Sequence, residues 1–207
     1  MKSSKPNIST SPEVRIFKNY TLETLTHTNS FVAISTYALL AVASLLYATT
    51  TYGFQWTQLM LIAGGRGFFT LVEYIMHRFV YHSGEYKSHK SWQYKVHGIH
   101  HHHPNEESQL AMPIPLALIL LGGFFVLFYM VLNKGAFFFF PGFAIGYAFY
   151  LLMHYLIHVR KAPKSFLKFF WRHHHLHHHK YDDKAFGLST RFWDRVFGTM
   201  PPKKTFN

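Results

Sequence analysis

The sequence predicts an all-α integral membrane protein in which about four transmembrane helices lie beneath a polar, histidine-rich cap. Apolar segments of about 20 residues, long enough to cross a bilayer as helices, alternate with polar segments. The basic residues fall almost entirely in alternate connections between the apolar segments. Of the 17 histidines, 15 lie in four short stretches at or just beyond the ends of those segments.

The composition restricts the kinds of site that the chain can form. Its 207 residues fit a single domain, 1–207, with 49% hydrophobic, 19% aromatic and only 14% charged residues. The chain has no cysteine, which excludes disulfides, thiolate metal sites and cysteine-ligated iron–sulfur clusters. A net charge of +12 fits nucleic acid or an anionic membrane surface, and the apolar segments favour the membrane.

Four apolar segments are predicted to span the membrane. The chain opens with a polar segment, 1–30, which has no cleavable signal pattern. Pro113 and Pro115 open the third apolar segment, where helical N–H groups are free in any case. The predicted spans are 31–50, 56–76, 111–132 and 136–157. The cap is expected from 77–109 and 158–200, followed by a short tail, 201–207.

The positive charges predict that the cap is cytoplasmic. Of the 21 lysines and arginines, 19 lie in 1–30, 77–109 or 159–207, which four spans place on one side. Because cytoplasmic loops carry an excess of Lys and Arg, we expect every histidine stretch to face the cytoplasm. Two alternatives remain, namely a soluble protein with buried helices and helical hairpins that only partly enter the bilayer.

The spacing of the histidines indicates which imidazoles can converge. His154 and His158 are four residues apart, on one face of a helix. Two other stretches contain a histidine followed by two more at positions i+3 and i+4, again on one face. His77 and His82 are five apart, so we expect the helix to end or bend between them. The candidate metal ligands are His77, His82, His97, His100, His101, His154, His158, His174, His177 and His178.

Ten imidazoles are too many for one metal ion and suit two. The chain has only nine acidic residues, which argues against a carboxylate-bridged site with paired Glu-x-x-His motifs. Imidazole ligands allow zinc, copper, nickel or iron, and redox chemistry beside a membrane favours iron because zinc has no redox role. The spread of the ligands over four segments argues against a simple metal sink.

The other histidines have no predicted role as ligands. In the last stretch His175 is an alternative to His174, since His175, His178 and His179 repeat the same spacing. Within the stretch 97–104, substitution of His102 or His103 is expected to impair the protein less than substitution of the candidate ligands. His27 and His89 stay unassigned. The remaining histidines of the crowded stretches either support the ligands from outside the metal site or are merely solvated, namely His102, His103, His173, His175 and His179.

Two charged residues lie within the second predicted span. Arg66, Thr70, Glu73 and His77 fall on one helical face. Charged groups at such a depth usually face the interior of a bundle or a polar cavity. Glu73 either accepts the outer ring N–H of a histidine ligand or pairs with Arg66, and for Arg66 we favour the pair.

Several motifs together are typical of one family. The segments 73–82, 97–101, 154–158 and 174–178 resemble, in content and order, the fatty acid hydroxylase/sterol desaturase superfamily. The segments 103–105 and 186–199 are most similar to its fatty acid 2-hydroxylase branch. The resemblance covers roughly residues 60–200, and the spacing from His178 to Phe186 matches the family when His174 rather than His175 is the ligand.

The resemblance implies a four-helix membrane anchor under a cytoplasmic cap. It also implies two metal ions, iron when active and zinc as an alternative in isolated protein, that use O2 and external electrons to hydroxylate an acyl chain. Eukaryotic relatives often carry a fused cytochrome b5 domain, and this sequence has none, so we expect a separate donor such as cytochrome b5 or ferredoxin. Leu151 stands where close relatives are expected to have an aspartate.

These observations predict an O2-dependent fatty acid hydroxylase, an oxidoreductase of lipid metabolism that acts at position 2 of the acyl chain. One alternative is a sterol or carotenoid hydroxylase or desaturase on the same scaffold. Another is a membrane metal-binding protein without catalysis. The substrate-binding residues stay unassigned, and a nucleic-acid partner is not expected because the positive charge follows the membrane topology.

Overall fold

The computed structural model describes residues 16–202, and within that range every regular element is helical. This confirms the predicted all-α fold. The α-helices are α1 (Tyr20–Thr26), α2 (Ser30–Tyr52), α3 (Gln58–Ile75), α4 (Ile99–His102), α5 (Ile114–Leu132), α6 (Ala136–Val159), α7 (Lys168–His179) and α8 (Phe192–Val196). Two π-helical segments, Met76–Tyr81 and Tyr94–Gly98, and two 3₁₀ turns, Glu107–Gln109 and Asn133–Gly135, accompany them. The first half of the predicted polar segment and most of the tail lie outside the described residues.

Four long helices occupy the predicted spans. By length and composition, three stretches are apolar enough to cross a membrane, namely Ser30–Tyr52, Gln58–Tyr81 and Glu107–Val159. The third contains both α5 and α6, which run antiparallel, since Phe125 contacts Phe140 and Phe124 contacts Phe143. The number of crossings stays a prediction, but the four helices that it requires are present.

Helices α3 and α6 run parallel and lie unusually close together. A Cβ atom on Gly142 would lie 1.9 Å from the carbonyl oxygen of Ile62, and one on Gly65 would lie 2.0 Å from that of Phe139. Small residues let helix backbones approach in this way inside a membrane, where packing rather than the hydrophobic effect holds helices together.

Helix α2 packs antiparallel on the other side of α6. Tyr37 stacks on Tyr147, and nearer the opposite end the hydroxyl of Ser44 donates to the carbonyl oxygen of Phe137 at 3.1 Å. Pro141 has no N–H to donate to that carbonyl, so the serine satisfies an acceptor that proline leaves free. The sequence analysis did not foresee this contact.

The helix directions bring all four histidine stretches to one end of the bundle. The C-terminal ends of α3 and α6 lie there, together with the N-terminal ends of α2 and α5. The cap is built from the chain between α3 and α5 and from the residues that follow α6. The outer surface of the bundle is strongly apolar, with Ile119, Met130 and Val131 exposed by 71%, 76% and 82%. Exposed apolar side chains on long helices fit contact with lipid.

Candidate metal centre

Ten histidines converge at the cap end of the bundle in two groups of five. Site A consists of His77, His82, His97, His101 and His177, and site B of His100, His154, His158, His174 and His178. Within each group, one nitrogen of every ring lies within 4.8 Å of the others, so either group can hold a metal ion. The structure thus brings together all ten residues selected by their spacing.

Two histidine stretches contribute to both sites. His97 and His101 are one helical turn apart and face site A, whereas His100 faces site B. In α7 the assignment is reversed, because His177 belongs to site A, whereas His174 and His178 belong to site B. The i, i+3, i+4 pattern therefore serves two adjacent ions rather than one.

His77 and His82 both reach site A because the chain between them is a π-helix. The segment Met76–Tyr81 continues α3 without interruption, and the N–H of His82 donates to the carbonyl of His77 at 3.2 Å. A π turn is wider than an α turn, so residues five apart fall on one face. The helix widens at this point and ends at Tyr81, which confirms the expectation that it ends between the two histidines, with His82 as the first residue beyond it.

The ring nitrogens are spaced like the ligands of a common ion. In site A, Nε2 of His97 lies 3.1 Å from Nε2 of His77 and 3.0 Å from Nε2 of His101. In site B, Nε2 of His100 lies 2.9 Å from Nε2 of His154. Two nitrogens bound at right angles to one ion, each at about 2.1 Å, lie about 3 Å apart.

Backbone carbonyls fix the tautomer of three of these rings. Nδ1 of His77 donates to the carbonyl of Phe186 at 2.6 Å, and Nδ1 of His177 to that of Lys184 at 2.7 Å. Nδ1 of His154 donates in the same way to the carbonyl of Leu110 at 3.1 Å. Because a carbonyl only accepts, each Nδ1 carries the proton and each Nε2 presents a lone pair to the site. Each of these lone pairs points at another ring nitrogen about 3 Å away, the spacing expected of two ligands of one ion, so these residues fit a metal site.

Burial keeps five of the candidate ligand imidazoles in the cap neutral. Burial, reinforced by neighbouring imidazoles, lowers the pKa of His101 to about 3 and that of His177 to about 3. The same causes hold the pKa of His97, His100 and His174 well below the ordinary range of histidine. Neutral imidazole is the form that binds a metal.

The other histidines of α7 lie outside both sites. Nε2 of the buried His173 lies 3.0 Å from Oδ2 of Asp194, and His175 and His179 are exposed. His174 and not His175 therefore points into site B. Outside α7, His89 and His102 pack against each other on the surface of the cap.

The carboxylate of Glu73 accepts from backbone N–H groups rather than from a ligand histidine. Its Oε1 accepts hydrogen bonds from the N–H of Leu188 at 2.7 Å and of Ser189 at 2.8 Å. The guanidinium of Arg66 lies 4.9 Å from the centre of the Phe149 ring, and within residues 16–202 it forms no ion pair with Glu73. The expected bond to a ligand histidine is therefore wrong, because the carboxylate anchors a loop, and Arg66 attracts Glu73 only over a longer distance than that of a close ion pair.

Asp194 is a buried polar residue that the sequence analysis missed. Its two oxygens accept from the N–H of Phe186 and of Gly187, each at 2.9 Å, and Oδ1 also accepts from the hydroxyl of Thr199 at 2.7 Å. The available signal was its position in the family-like segment 186–199 of a chain with few acidic residues.

The N-terminal residues 16–28 lie against the cap through the previously unassigned His27. Glu23 accepts from the backbone N–H of Phe17 at 2.7 Å and lies 3.1 Å from Nε2 of His27. Nδ1 of the same imidazole lies 2.6 Å from the hydroxyl of Ser108. His27 therefore has a structural contact and lies outside both metal sites.

An apolar cavity of about 300 Å³ connects the metal centre with the interior of the bundle. His77, His97, His100 and His154 line its cap end, and Phe124 and Phe143 line its far end. Leu151, predicted as a departure from the family pattern, is buried in the wall of the cavity. The cavity could not be foreseen from the sequence because it depends on how α5 packs beside α3 and α6.

Comparison with known proteins agrees with this architecture. Residues 62–199 match the fatty acid hydroxylase family model. The ceramide very long chain fatty acid hydroxylase scs7 of Schizosaccharomyces pombe is 35% identical over 196 residues, covering 90% of this chain and 55% of that protein. The dihydroceramide fatty acyl 2-hydroxylase FAH2 of Arabidopsis thaliana is 32% identical over 191 residues, covering 90% of this chain and 80% of that protein.

A solved structure has the same fold. The hydroxylase domain visible in full-length scs7p matches with a TM-score of 0.80 and 31% identity, over 90% of this chain and 71% of that one. The match extends over the helices that carry the histidines, and the matched family model covers two thirds of the sequence. The chain therefore belongs to the fatty acid hydroxylase family.

Proposed function

We propose that this chain is a membrane di-iron monooxygenase that hydroxylates a fatty acyl chain at position 2. The observation that carries the proposal is the apolar cavity that ends on histidines of both sites, because it brings an extended hydrocarbon to the metal centre. The matched relatives are named as hydroxylases of fatty acids or ceramides, which supports the same activity here.

The ten histidines are the proposed ligands, five for each ion. Iron held by these imidazoles supplies the O2 activation that hydroxylation needs, whereas zinc would leave the protein inactive. The reaction inserts one oxygen atom of O2 into a C–H bond and reduces the other to water, using two electrons and two protons. Carbonyl partners such as that of Phe186 hold the rings in place while this occurs.

The direction of the cavity supports oxidation near the carboxyl end of the acyl chain. Its far end is lined by aromatic side chains within the bundle, so the methyl end of an acyl chain fits there. The carbons close to the carbonyl then lie beside the histidines. Burial of the tail excludes water from the oxidation site and sets which carbon is presented.

We propose that the metal centre faces the cytoplasm and receives electrons from a separate donor such as cytochrome b5 or ferredoxin. The side is supported by the distribution of charge, since 19 of the 21 lysines and arginines lie in segments on the cap side of the four proposed spans. The chain has no cysteine, so labelling of a cysteine introduced at the exposed His179 in oriented vesicles tests the side.

Comparative lipid mass spectrometry tests the activity. Cells that express the wild type are expected to gain acyl products heavier by one oxygen atom, with fragmentation placing the hydroxyl at position 2. His100→Ala, which removes a site B ligand, is expected to reduce that product to background. His179→Ala is the matched control, because this histidine is exposed and outside both sites.

Two outcomes contradict the proposal. Oxidised sterols or carotenoids without 2-hydroxy acyl products would favour a different reaction on the same scaffold. Unmodified lipids in the presence of iron-loaded wild type and a working donor would favour a metal-binding protein without catalysis.

A further inference from the structure

The loop 184–189 makes its closest contacts with only one of the two metal sites. Its carbonyls at Lys184 and Phe186 accept the Nδ1–H of His177 and His77, and both histidines belong to site A. The loop therefore determines where two of the five site A nitrogens point, although none of its own side chains is a proposed ligand.

Two buried carboxylates hold this loop from the opposite side. Asp194 accepts from the N–H groups of Phe186 and Gly187, and Glu73 accepts from those of Leu188 and Ser189. Four successive peptide N–H groups are thus bound by two carboxylates. The carbonyl of Phe186 belongs to the same peptide unit as the N–H of Gly187, so Asp194 fixes the direction of that carbonyl. The carbonyl of Lys184 shares its peptide unit with the N–H of Ala185, which donates to the carbonyl of Thr199, and Thr199 is itself hydrogen-bonded to Asp194.

The loop has a conformation that needs such support. Ala185 has φ of 59°, in the left-handed region that non-glycine residues rarely adopt. A Cβ atom on Gly187 would lie 2.2 Å from the carbonyl oxygen of Thr190 and 3.0 Å from Oδ2 of Asp194. The backbone is therefore pressed against the carboxylate that binds it, and Asp194 is itself fixed by His173.

The imidazole rings of site B have fewer hydrogen-bond partners for the nitrogen that points away from the site. Its His154 donates to the carbonyl of Leu110 at 3.1 Å, a longer bond than either carbonyl contact in site A. Nδ1 of His100 and of His178 is buried without a hydrogen-bond partner in the described part of the chain, and in site A this holds for His82. Outer-shell partners of this kind raise the affinity of histidine sites for metal.

We infer that Glu73 and Asp194 are positioning residues that act through the loop 184–189 on His77 and His177, and that site A binds its ion more tightly than site B. The inference rests on the proposed role of the ten histidines as metal ligands. It adds that the two ions are inequivalent and assigns the difference to carboxylates that do not touch either ion.

Zinc titration of metal-free protein tests the inequality. Full-length wild type in detergent, competed against a chelator, is expected to take up two ions in two resolved steps. His77→Ala is expected to remove the tighter step and His154→Ala the weaker one. Equal affinities in the wild type, or loss of the weaker step in His77→Ala, would overturn the inference.

Substitution of the carboxylates tests their role. Asp194→Asn replaces an acceptor by an amide whose N–H₂ faces a backbone N–H, so the tighter step is expected to weaken 10- to 100-fold while the other step is retained. Glu73→Gln is expected to act in the same direction. Asp183→Asn is the matched control, because that carboxylate is exposed beside the same loop.

A double-mutant cycle separates positioning from general damage. Adding Asp194→Asn to His77→Ala should change the zinc affinity little, because both substitutions act on site A. Adding it to His154→Ala should lower the affinity for the one zinc ion that this variant still binds. Equal weakening of both ions in a protein that keeps its helical circular dichroism would contradict the inference. If Asp194→Asn does not fold, Glu73→Gln decides the same question.

The zinc-binding experiments can fail or succeed independently of the proposed hydroxylase activity. A wild type that binds zinc in two unequal steps but hydroxylates no lipid would refute the proposed function and leave this inference intact. A hydroxylating wild type whose Asp194→Asn variant keeps both zinc steps unchanged would refute only the inference.

Discussion

Ala117→Phe is predicted to shorten the cavity that we assign to the acyl chain. Ala117 is 1% exposed and lines the cavity from helix α5. At 1.5 Å per residue it lies about 6 Å along the helix from Pro113 at the cap end, whereas Phe124 at the far end lies about 17 Å away. An aromatic ring at position 117 would therefore close roughly the deeper two thirds of the cavity.

The magnitude follows from the burial of methylene groups. Each methylene that no longer fits loses about 0.8 kcal/mol of burial, which corresponds to about fourfold in kcat/KM. Exclusion of four methylenes should lower kcat/KM about 200-fold for a long chain, while a chain short enough to end above position 117 is unaffected. The expected result is a change of chain-length preference rather than uniform loss of activity.

The assay is a competition between acyl chains of different length in one reaction, with the products measured by mass spectrometry. Ile119→Phe is the matched control, because Ile119 lies on the same helix but is 71% exposed on the outer surface. A folded Ala117→Phe variant with the product distribution of the wild type would show that the acyl chain does not lie in this cavity.

Three further predictions concern packing, pH and the N-terminal contact. Gly142→Ala forces α3 from α6 and should lower stability by about 1–3 kcal/mol, seen as a lower melting temperature, whereas Gly122→Ala, with open space around its Cβ, should not. His101 has a folded pKa of about 3 against about 6.5 when unfolded, so below pH 6.5 the unfolded state binds the proton first. Metal-free protein should therefore lose about 1.4 kcal/mol per pH unit for each such histidine between pH 6.5 and 3, and an unchanged melting temperature from pH 7 to 5 would contradict this. His27→Ala removes the contact with Ser108 and should speed proteolysis of residues 16–28 at unchanged zinc content; an unchanged cleavage rate would show that other contacts hold that segment.

The helices of this protein could be predicted because bilayer thickness restricts apolar segments so strongly. An uninterrupted segment such as 31–50 fits almost only a transmembrane helix, and the structure has α2 at Ser30–Tyr52. The ten histidines could be selected because helical geometry converts sequence spacing into a shared face. Their division between two sites was not predictable, since it depends on the placement of residues 97–101 opposite α7.

The residues that orient the ligands were beyond sequence reasoning for a different reason. His77 and His177 donate to backbone carbonyls. Every residue has a backbone carbonyl, so the residue type at the accepting position gives no signal. Asp194 and Glu73 act on backbone N–H groups, which likewise leave no pairing signal between side chains. The π segment Met76–Tyr81 has no characteristic composition, so its only trace was the five-residue spacing, from which we expected the helix to end or bend but not to widen.

The division of the histidines also bears on how a substrate reaches the metal centre. His100 and His177 each belong to the opposite site from their flanking histidines, so bound ions would link α4 and α7 through both sites at once. Separating them to admit a substrate from the aqueous side would disrupt both sites together. A cavity lined by α5, with residues such as Leu120 and Leu121, reaches the same histidines without moving either helix. The arrangement therefore favours a substrate whose hydrocarbon already lies among the membrane helices, as that of a lipid does.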